Sequence, residues 1–273
     1  MNTNNLEFLQ NGLKYLGFDE KLGIELAKNI SEGKADFQLK EQKSYGNDKM
    51  DTSLHFRKSD TSDMYFFNKY EANVRKNSED IAQTFYIEKN KGVTLKEAYN
   101  LLSGRAVNKD LLNKDGEKYN AWIQLDFSGK DKYGNYPIKQ YHANYGYDLA
   151  QAVAKHPVKE LGDPEQKDKL ISSLEKGNVQ SVTFSKDGNE EKMFIEANPQ
   201  YKTVNVFDGH MKEVKQELAK QGQDAKEVPV KAGELEKKAD KSIDKKQPSK
   251  KNAQDNNSLL PKKRTANRKG MHL

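Results

Sequence analysis

Three glycines set the plan of this chain, because each follows a stretch with helical spacing and each lies a similar distance from the next. Gly33, Gly104 and Gly177 are 71 and 73 residues apart. Glycine readily adopts the positive φ that commonly ends a helix, so each of the three predicts a helix C-terminus. A spacing near 70 residues predicts a body built from about three similar units.

Polar residues that cap helix N-termini precede these glycines at matching places. Asp19 is placed to cap the first helix. Thr94 and Glu97 have the spacing of a capping box before the second. Asp163, followed by Pro164, begins the third. Because such side chains satisfy the free N–H groups at a helix start, they predict where the three helices begin.

A turn glycine follows each helix-ending glycine by 11 to 13 residues. These turn glycines are Gly46, Gly116 and Gly188, and the last two belong to Asp-Gly pairs, which favour hairpin turns. The segment NAWIQLDF places Ile123 and Leu125 on one face of a strand with a period of two. A third extended run, such as KTVNVFD, closes each unit, so the unit is predicted to be helix, hairpin and third strand.

These patterns predict an α+β fold of about three helix–hairpin–strand repeat units with mainly antiparallel sheet. The expected segments are an N-terminal covering helix at 1–17, repeat units at 18–92, 93–162 and 163–211, and a disordered basic tail at 212–273. The covering helix is predicted from four leucines that share one helical face, Leu6, Leu9, Leu13 and Leu16.

The tail is set apart by composition and by charge. Phe207 is the last aromatic residue, and a segment without large apolar groups cannot offset the entropy lost on ordering. Residues 212–273 hold 17 of the 47 Lys and Arg residues and 9 of the 41 Asp and Glu residues, a net charge of +8. The remaining 30 basic and 32 acidic residues give the body a net charge of −2. The high isoelectric point therefore belongs to the tail, and the body is not a strongly basic nucleic-acid binder by composition.

Several classes of protein are disfavoured by what the sequence lacks. There is no cysteine, so disulfides, thiol chemistry and thiolate metal sites are excluded. No stretch approaches the roughly 20 apolar residues of a membrane-spanning helix, and the first residues do not have the pattern of a secretory signal. A cytoplasmic location without membrane partners is the expectation.

No catalytic, cofactor-binding or metal-binding residues are predicted. The five histidines have no metal-binding spacing, and His55 and His142 are interpreted as structural residues of strands. Asp60 and Asp63 lie in a polar segment without any phosphate-binding glycine motif, and a loop that enters a buried strand is the preferred interpretation. Catalytic groups can still converge from distant positions, so an enzyme with dispersed site residues stays an alternative.

Four stretches of the body carry a family resemblance: SDMYFFNKYEA, KEAYNLLSGRAVNKDLLNKDGEKYNAWIQLDF, YHANYGYDL and MFIEANPQYKTVNVFD. They resemble a family of proteins with a domain of unknown function that is carried on conjugative transposons and related mobile elements of Bacteroidetes. The likeness covers nearly all of 1–211, and the basic ending is also of the family's type. The resemblance implies a bacterial cytoplasmic setting and a role around mobile DNA, and it brings no catalytic residue with it.

Two segments are candidates for nucleic-acid binding. The first is the basic C-terminal segment, with Lys262, Lys263, Arg264, Arg268 and Lys269, which has the charge to contact phosphates weakly without sequence preference. The second is the tyrosine-rich segment, in which Tyr141, Tyr145 and Tyr147 are possible stacking residues. Tyrosines are also common in half-buried strands and turns, and a basic terminus also improves solubility, so these structural interpretations stay open.

The leading hypothesis is a non-enzymatic accessory protein of a mobile element, in which the body binds an unknown protein partner. The basic tail would add weak DNA or RNA contact or docking, and no cofactor is expected. The alternatives are single-stranded nucleic-acid binding by the tyrosine-rich segment and an enzyme with dispersed site residues.

Overall fold

Helices and antiparallel meanders alternate along the chain. The computed structural model describes residues 2–76, 79–88 and 92–214, which fall within one compact unit. The helices are α1 (Thr3–Leu16), α2 (Glu20–Ser31), α3 (Leu95–Leu102), α4 (Leu149–Ala154) and α5 (Pro164–Glu175). The strands are β1 (Asp36–Tyr45), β2 (Asp48–Lys58), β3 (Tyr65–Lys76), β4 (Glu79–Tyr86), β5 (Val107–Leu112), β6 (Lys118–Leu125), β7 (Ile138–His142), β8 (Gln180–Lys186), β9 (Asn189–Asn198) and β10 (Thr203–Phe207). Short 3-10 helices lie at Ala143–Tyr145, Lys159–Gly162 and Pro199–Tyr201.

The strands form three sheets in which each strand pairs with its neighbour in the sequence. The first sheet contains β1 to β4, the second β5 to β7 and the third β8 to β10, and every pair of strands is antiparallel. The predicted α+β class with mainly antiparallel sheet is confirmed. A helix precedes each meander, α2 the first, α3 the second and α5 the third. Whether these segments are copies of one unit stays a prediction, as do the predicted unit boundaries.

The local signals in the sequence explain where the helices begin. The Asp19 carboxylate accepts a hydrogen bond from the Lys21 backbone N–H at the start of α2. Thr94 and Glu97 form a complete capping box at α3. Asp163 caps α5, and Pro164 takes the first helical position. In each case the cap satisfies a backbone donor that has no partner within the helix.

Positive φ explains the glycines at the ends of these helices and at the hairpins. Gly104 has a φ of +83° one residue beyond the C-cap of α3. In the β8–β9 hairpin, Asp187 and Gly188 both have positive φ, +52° and +81°. Two successive left-handed residues match the twist of a two-residue hairpin turn, as the Asp-Gly pair predicts.

Two hydrophobic cores meet at β6. Ile123 and Leu125 are buried in the first core, which lies between the first sheet and helices α1 to α3. Trp122 is buried in the second core, among α4, α5 and the third sheet. The alternation in the sequence places Trp122 on the face opposite Ile123 and Leu125, and the structure buries both faces, because the second core covers Trp122. A strand covered on both faces is largely apolar, as this one is.

Helix α1 covers the first sheet, as its leucine spacing predicts. Leu9, Leu13 and Leu16 are buried in the first core. A buried amide fixes the position of the helix on the sheet, since Asn5 accepts a hydrogen bond from the Tyr65 N–H at 2.7 Å and donates one to the Tyr65 carbonyl at 3.0 Å. The side chain of Asn5 thereby pairs with β3 as a neighbouring strand would.

The ordered fold continues past the predicted boundary at residue 211. Glu213 forms a β-bridge with Phe207, and the Val214 N–H donates to the Val206 carbonyl at 2.8 Å. Residues 212–214 therefore extend the third sheet at the edge of β10. The rest of the predicted tail lies outside the described residues.

Candidate nucleic-acid interface

The tyrosine-rich segment lies where the second sheet meets the third. Tyr141 belongs to β7, and Tyr145 ends the 3-10 turn that follows that strand. Gly146 has a φ of +76°, which turns the chain sharply toward Tyr147 and α4. The turn places these tyrosines beside the connection between β9 and β10, more than 50 residues later in the sequence.

Tyr145 makes two contacts with that connection. Its hydroxyl donates a hydrogen bond to the Gln200 carbonyl at 2.7 Å. The Lys202 Nζ lies 4.6 Å from the centroid of its ring, within the range of a cation–π interaction. The side chain nevertheless stays 38% exposed. A tyrosine held in this way keeps a fixed orientation at the surface.

Two further rings belong to the same surface. Tyr141 is half-buried against the second core, and its ring centroid lies 5.1 Å from that of Tyr145 at a tilt of 55°. Burial raises the pKa of the Tyr141 hydroxyl above its ordinary value. Tyr201 precedes Lys202 and is 72% exposed. We refer to Tyr141, Tyr145, Tyr201 and Lys202 as the tyrosine patch.

Tyr147 points toward the interior. Its hydroxyl donates to the Thr203 carbonyl at 2.9 Å, and its ring meets Trp122 edge-on with centroids 5.3 Å apart. Burial raises the pKa of its hydroxyl. The stacking role predicted for Tyr147 stays a prediction, but its contacts are those of a packing residue, and it is not included in the tyrosine patch.

Sequence reasoning missed half of the tyrosine patch. Tyr201 and Lys202 stand in the segment ANPQYK, where Asn198 and Pro199 indicate only a turn. Their approach to Tyr145 depends on how the third sheet packs against the second, which no local pattern reveals. The predicted phosphate-binding residues Lys262, Lys263, Arg264, Arg268 and Lys269 lie outside the described residues.

The histidines interpreted as structural occupy different environments. His55 on β2 has its Nε2 3.1 Å from the Glu71 Oε1, and burial lowers its pKa despite this carboxylate. His142 ends β7, with its ring 5.4 Å from that of Tyr119. Within the residues that the structure describes, no group of three or more His, Asp or Glu side chains is arranged to hold a metal ion.

The acidic residues considered for chemistry lie in loops. Asp60 and Asp63 pair with Arg57 and Lys58 in the exposed connection before β3. Asp115 and Asp187, the acidic residues of the two Asp-Gly pairs, belong to hairpin turns. These placements agree with the interpretation of the first two as members of a polar loop.

Across the described ranges, no helix has both the length and the apolar character needed to cross a membrane. No family model, curated protein or solved structure matches this chain.

Proposed function

We propose that this protein is a non-enzymatic accessory protein that binds single-stranded nucleic acid, using the tyrosine patch for base stacking. The observation that carries this function is the meeting of three tyrosines and a lysine from two distant segments on one surface. Aromatic rings stack on any nucleobase, and a neighbouring ammonium group attracts the phosphate backbone. Both contacts are independent of sequence.

The basic C-terminal segment is proposed to strengthen this contact. Its five Lys and Arg residues between 262 and 269 would neutralise phosphates and release counterions, which gives weak and strongly salt-dependent binding. The family resemblance is the reason to propose a mobile element as the setting. The spacing of Gly33, Gly104 and Gly177 is the reason to propose three related helix–meander units as the origin of the body. A helix followed by an antiparallel meander at three places supports the second point.

Replacing both Tyr141 and Tyr145 by Ala is expected to weaken the binding of a labelled single-stranded oligonucleotide by roughly tenfold, since a base stack contributes about 1–3 kcal/mol. Replacing both by Phe keeps the rings and removes the hydroxyl that bonds Gln200. The Phe variant is therefore expected to bind within about twofold of the parent protein. Fluorescence anisotropy at several salt concentrations measures both.

The two variants separate stacking from packing. Equal loss of binding in the Phe and Ala variants would show that the hydroxyl contact, and not the ring, matters, and this would contradict the proposed function. Replacing Lys262, Lys263, Arg264, Arg268 and Lys269 by Gln in the full chain is expected to lower the salt slope by roughly 0.7 for each phosphate contact removed. An unchanged slope would exclude the basic segment from the interface.

A second candidate function is the binding of a protein partner, and an exposed apolar residue on α2 favours it. Ile24 is 73% exposed and lies at a shallow groove of about 180 Å³ between α1 and α2. Apolar patches at the surface mark protein interaction sites, and Ile24 would be one contact of such a patch. This surface shares no residue with the tyrosine patch.

Affinity purification from the native host, with and without nuclease, is expected to retain a protein partner after nuclease treatment if this second function holds. Changing Ile24 to Lys should then remove that partner, while changing Tyr133, which is 62% exposed, to Lys should not. Loss of every partner on nuclease treatment would contradict the second function and leave nucleic-acid binding as the remaining candidate.

A further inference from the structure

The outer face of the first sheet carries a groove that the tyrosine patch does not include. One face of this sheet packs on α1, α2 and α3, and the other face carries polar side chains. A cross-strand row runs over all four strands on that outer face, with Gln38 beside His55, His55 beside Lys69, and Lys69 beside Tyr86. The groove along this row measures about 590 Å³, within the size range of small-ligand sites.

A β-bulge in β3 shapes this groove. The pairing of β2 with β3 shifts between His55 and Phe56, which leaves Asn68 as an extra residue opposite β2. Regular alternation would turn one of two successive side chains toward the core, but both Asn68 and Lys69 line the groove. Bulges commonly re-aim a side chain beside a functional site.

The lining combines the three kinds of group that recognise a nucleotide. Tyr86 offers an aromatic ring and is 50% exposed. The amides of Gln38 and Asn68 can donate to and accept from the edge of a base. Arg57 and Lys69 supply two positive charges against the single carboxylate of the lining, Asp36.

Both cations can exchange their present partners for a phosphate. Arg57 lies 3.4 Å from Asp60, and their side chains are 59% and 83% exposed, so this ion pair adds little stability. The Lys69 Nζ donates to the Glu71 Oε1 at 2.9 Å, and the Glu71 side chain is 48% exposed. Guanidinium and ammonium groups bind phosphate oxygens through charge-assisted hydrogen bonds, which are stronger than neutral ones.

We propose that this groove binds a nucleotide unit, with the base stacked on Tyr86 and hydrogen-bonded to Gln38 and Asn68, and with the phosphate held by Arg57 and Lys69. An antiparallel four-stranded sheet that stacks bases on exposed aromatic residues is an established way to bind single strands. The unit is either a free nucleotide or one residue of a strand, and both have this chemistry. The groove shares no residue with the tyrosine patch and does not depend on it.

The test uses the full chain and two probes, AMP followed by NMR titration and a labelled six-nucleotide single strand followed by fluorescence anisotropy. The Tyr86→Ala variant is expected to raise the Kd for a groove ligand roughly tenfold, and the Tyr86→Phe variant to leave it within about twofold. The Lys69→Gln variant is expected to raise the Kd several-fold. The Glu71→Gln variant is expected to lower it by about threefold, because it frees Lys69 and removes a negative charge near the phosphate.

The Glu71→Gln variant decides between binding and a merely structural role. Glu71 pairs with Lys69 and His55, and loss of these pairs would only destabilise the fold. Tighter binding by the Glu71→Gln variant therefore has no structural explanation. Lys49→Gln is the control, since Lys49 lies on the same outer face at the far end of the strands. It should change the Kd by less than about twofold.

Each result has one meaning. Binding of AMP with the expected order of variants supports a nucleotide site, and binding of the strand alone with that order supports a site for one residue of a strand. If neither probe binds, or if Tyr86→Ala and Glu71→Gln leave both affinities unchanged, the groove is an ordinary solvated sheet face. If the Tyr141 and Tyr145 variants lose strand binding and the Tyr86 variant keeps it, this inference is overturned and the proposed function stands. If the Tyr86 variant loses binding and the Tyr141 and Tyr145 variants keep it, the proposed function is overturned and this inference stands.

Discussion

Changing Gly177 to Ala is expected to lower the free energy of unfolding by about 3 kcal/mol. Gly177 follows α5 with a φ of +76°, a conformation that costs an alanine roughly 1–2 kcal/mol. An added Cβ would also lie 2.8 Å from the Ala106 carbonyl oxygen, 2.9 Å from the Val107 Cγ2 and 3.1 Å from the Asn100 Cβ. Overpacking of this kind costs about 1–3 kcal/mol more, because backbone atoms must move.

Gly188→Ala is the matched control for this change. Gly188 has a similar φ, +81°, but an added Cβ there meets no atom within 4 Å. Only the conformational cost remains, so we expect a loss of about 1 kcal/mol. Urea unfolding followed by the fluorescence of Trp122, the one tryptophan of the chain, measures both variants. Equal losses would mean that the contacts around Gly177 relax without cost.

The crowding around Gly177 shows where sequence-based prediction ends. Its role as a helix terminator could be predicted, because a helix end is a local event that one residue type marks. Its contact with Ala106 and Asn100 could not, since those residues lie more than 70 positions earlier. The same limit hid the second buried face of β6, where Trp122 packs on a core that is formed later in the chain.

The candidate sites were predictable to the same extent. Tyr141 and Tyr145 could be predicted as members of one site, because they lie four positions apart in the sequence. Lys202 joins them only through the packing of two sheets. The groove on the first sheet depends on the bulge at Asn68, which no turn residue or change of period in the sequence indicates.

Besides the packing of Trp122, hydrogen bonds at two places link the regions of the second and third sheets. At one, the Tyr145 hydroxyl donates to the Gln200 carbonyl in the β9–β10 connection, and the Tyr147 hydroxyl donates to the Thr203 carbonyl at the start of β10. At the other, the C-terminal ends of α3 and α5 meet around Asn100, the side chain of which is fully buried. The tyrosine patch combines residues of both sheets, so the stability of the second contact bears on the proposed function.

Changing Asn100 to Ala is expected to lower the free energy of unfolding by about 3 kcal/mol, because the three hydrogen bonds of a fully buried side chain are lost. The Asn100 Nδ2 donates to the Lys176 carbonyl at 2.6 Å and to the Asn178 Oδ1 at 3.0 Å. Its Oδ1 accepts from an Arg105 Nη2 at 2.7 Å. A hydrogen bond contributes about 0.5–1.5 kcal/mol, and one to a charged group contributes about 1.5–3 kcal/mol.

Asn108→Ala is the control for this second change. Asn108 also bonds another asparagine, Asn120, but this pair lies at the surface, where water replaces a lost partner. We expect a loss below about 0.5 kcal/mol for the control. If Asn100→Ala falls within that range as well, water must enter the junction and satisfy Arg105 and the Lys176 carbonyl. In that case the amide network contributes little to holding the two sheets together.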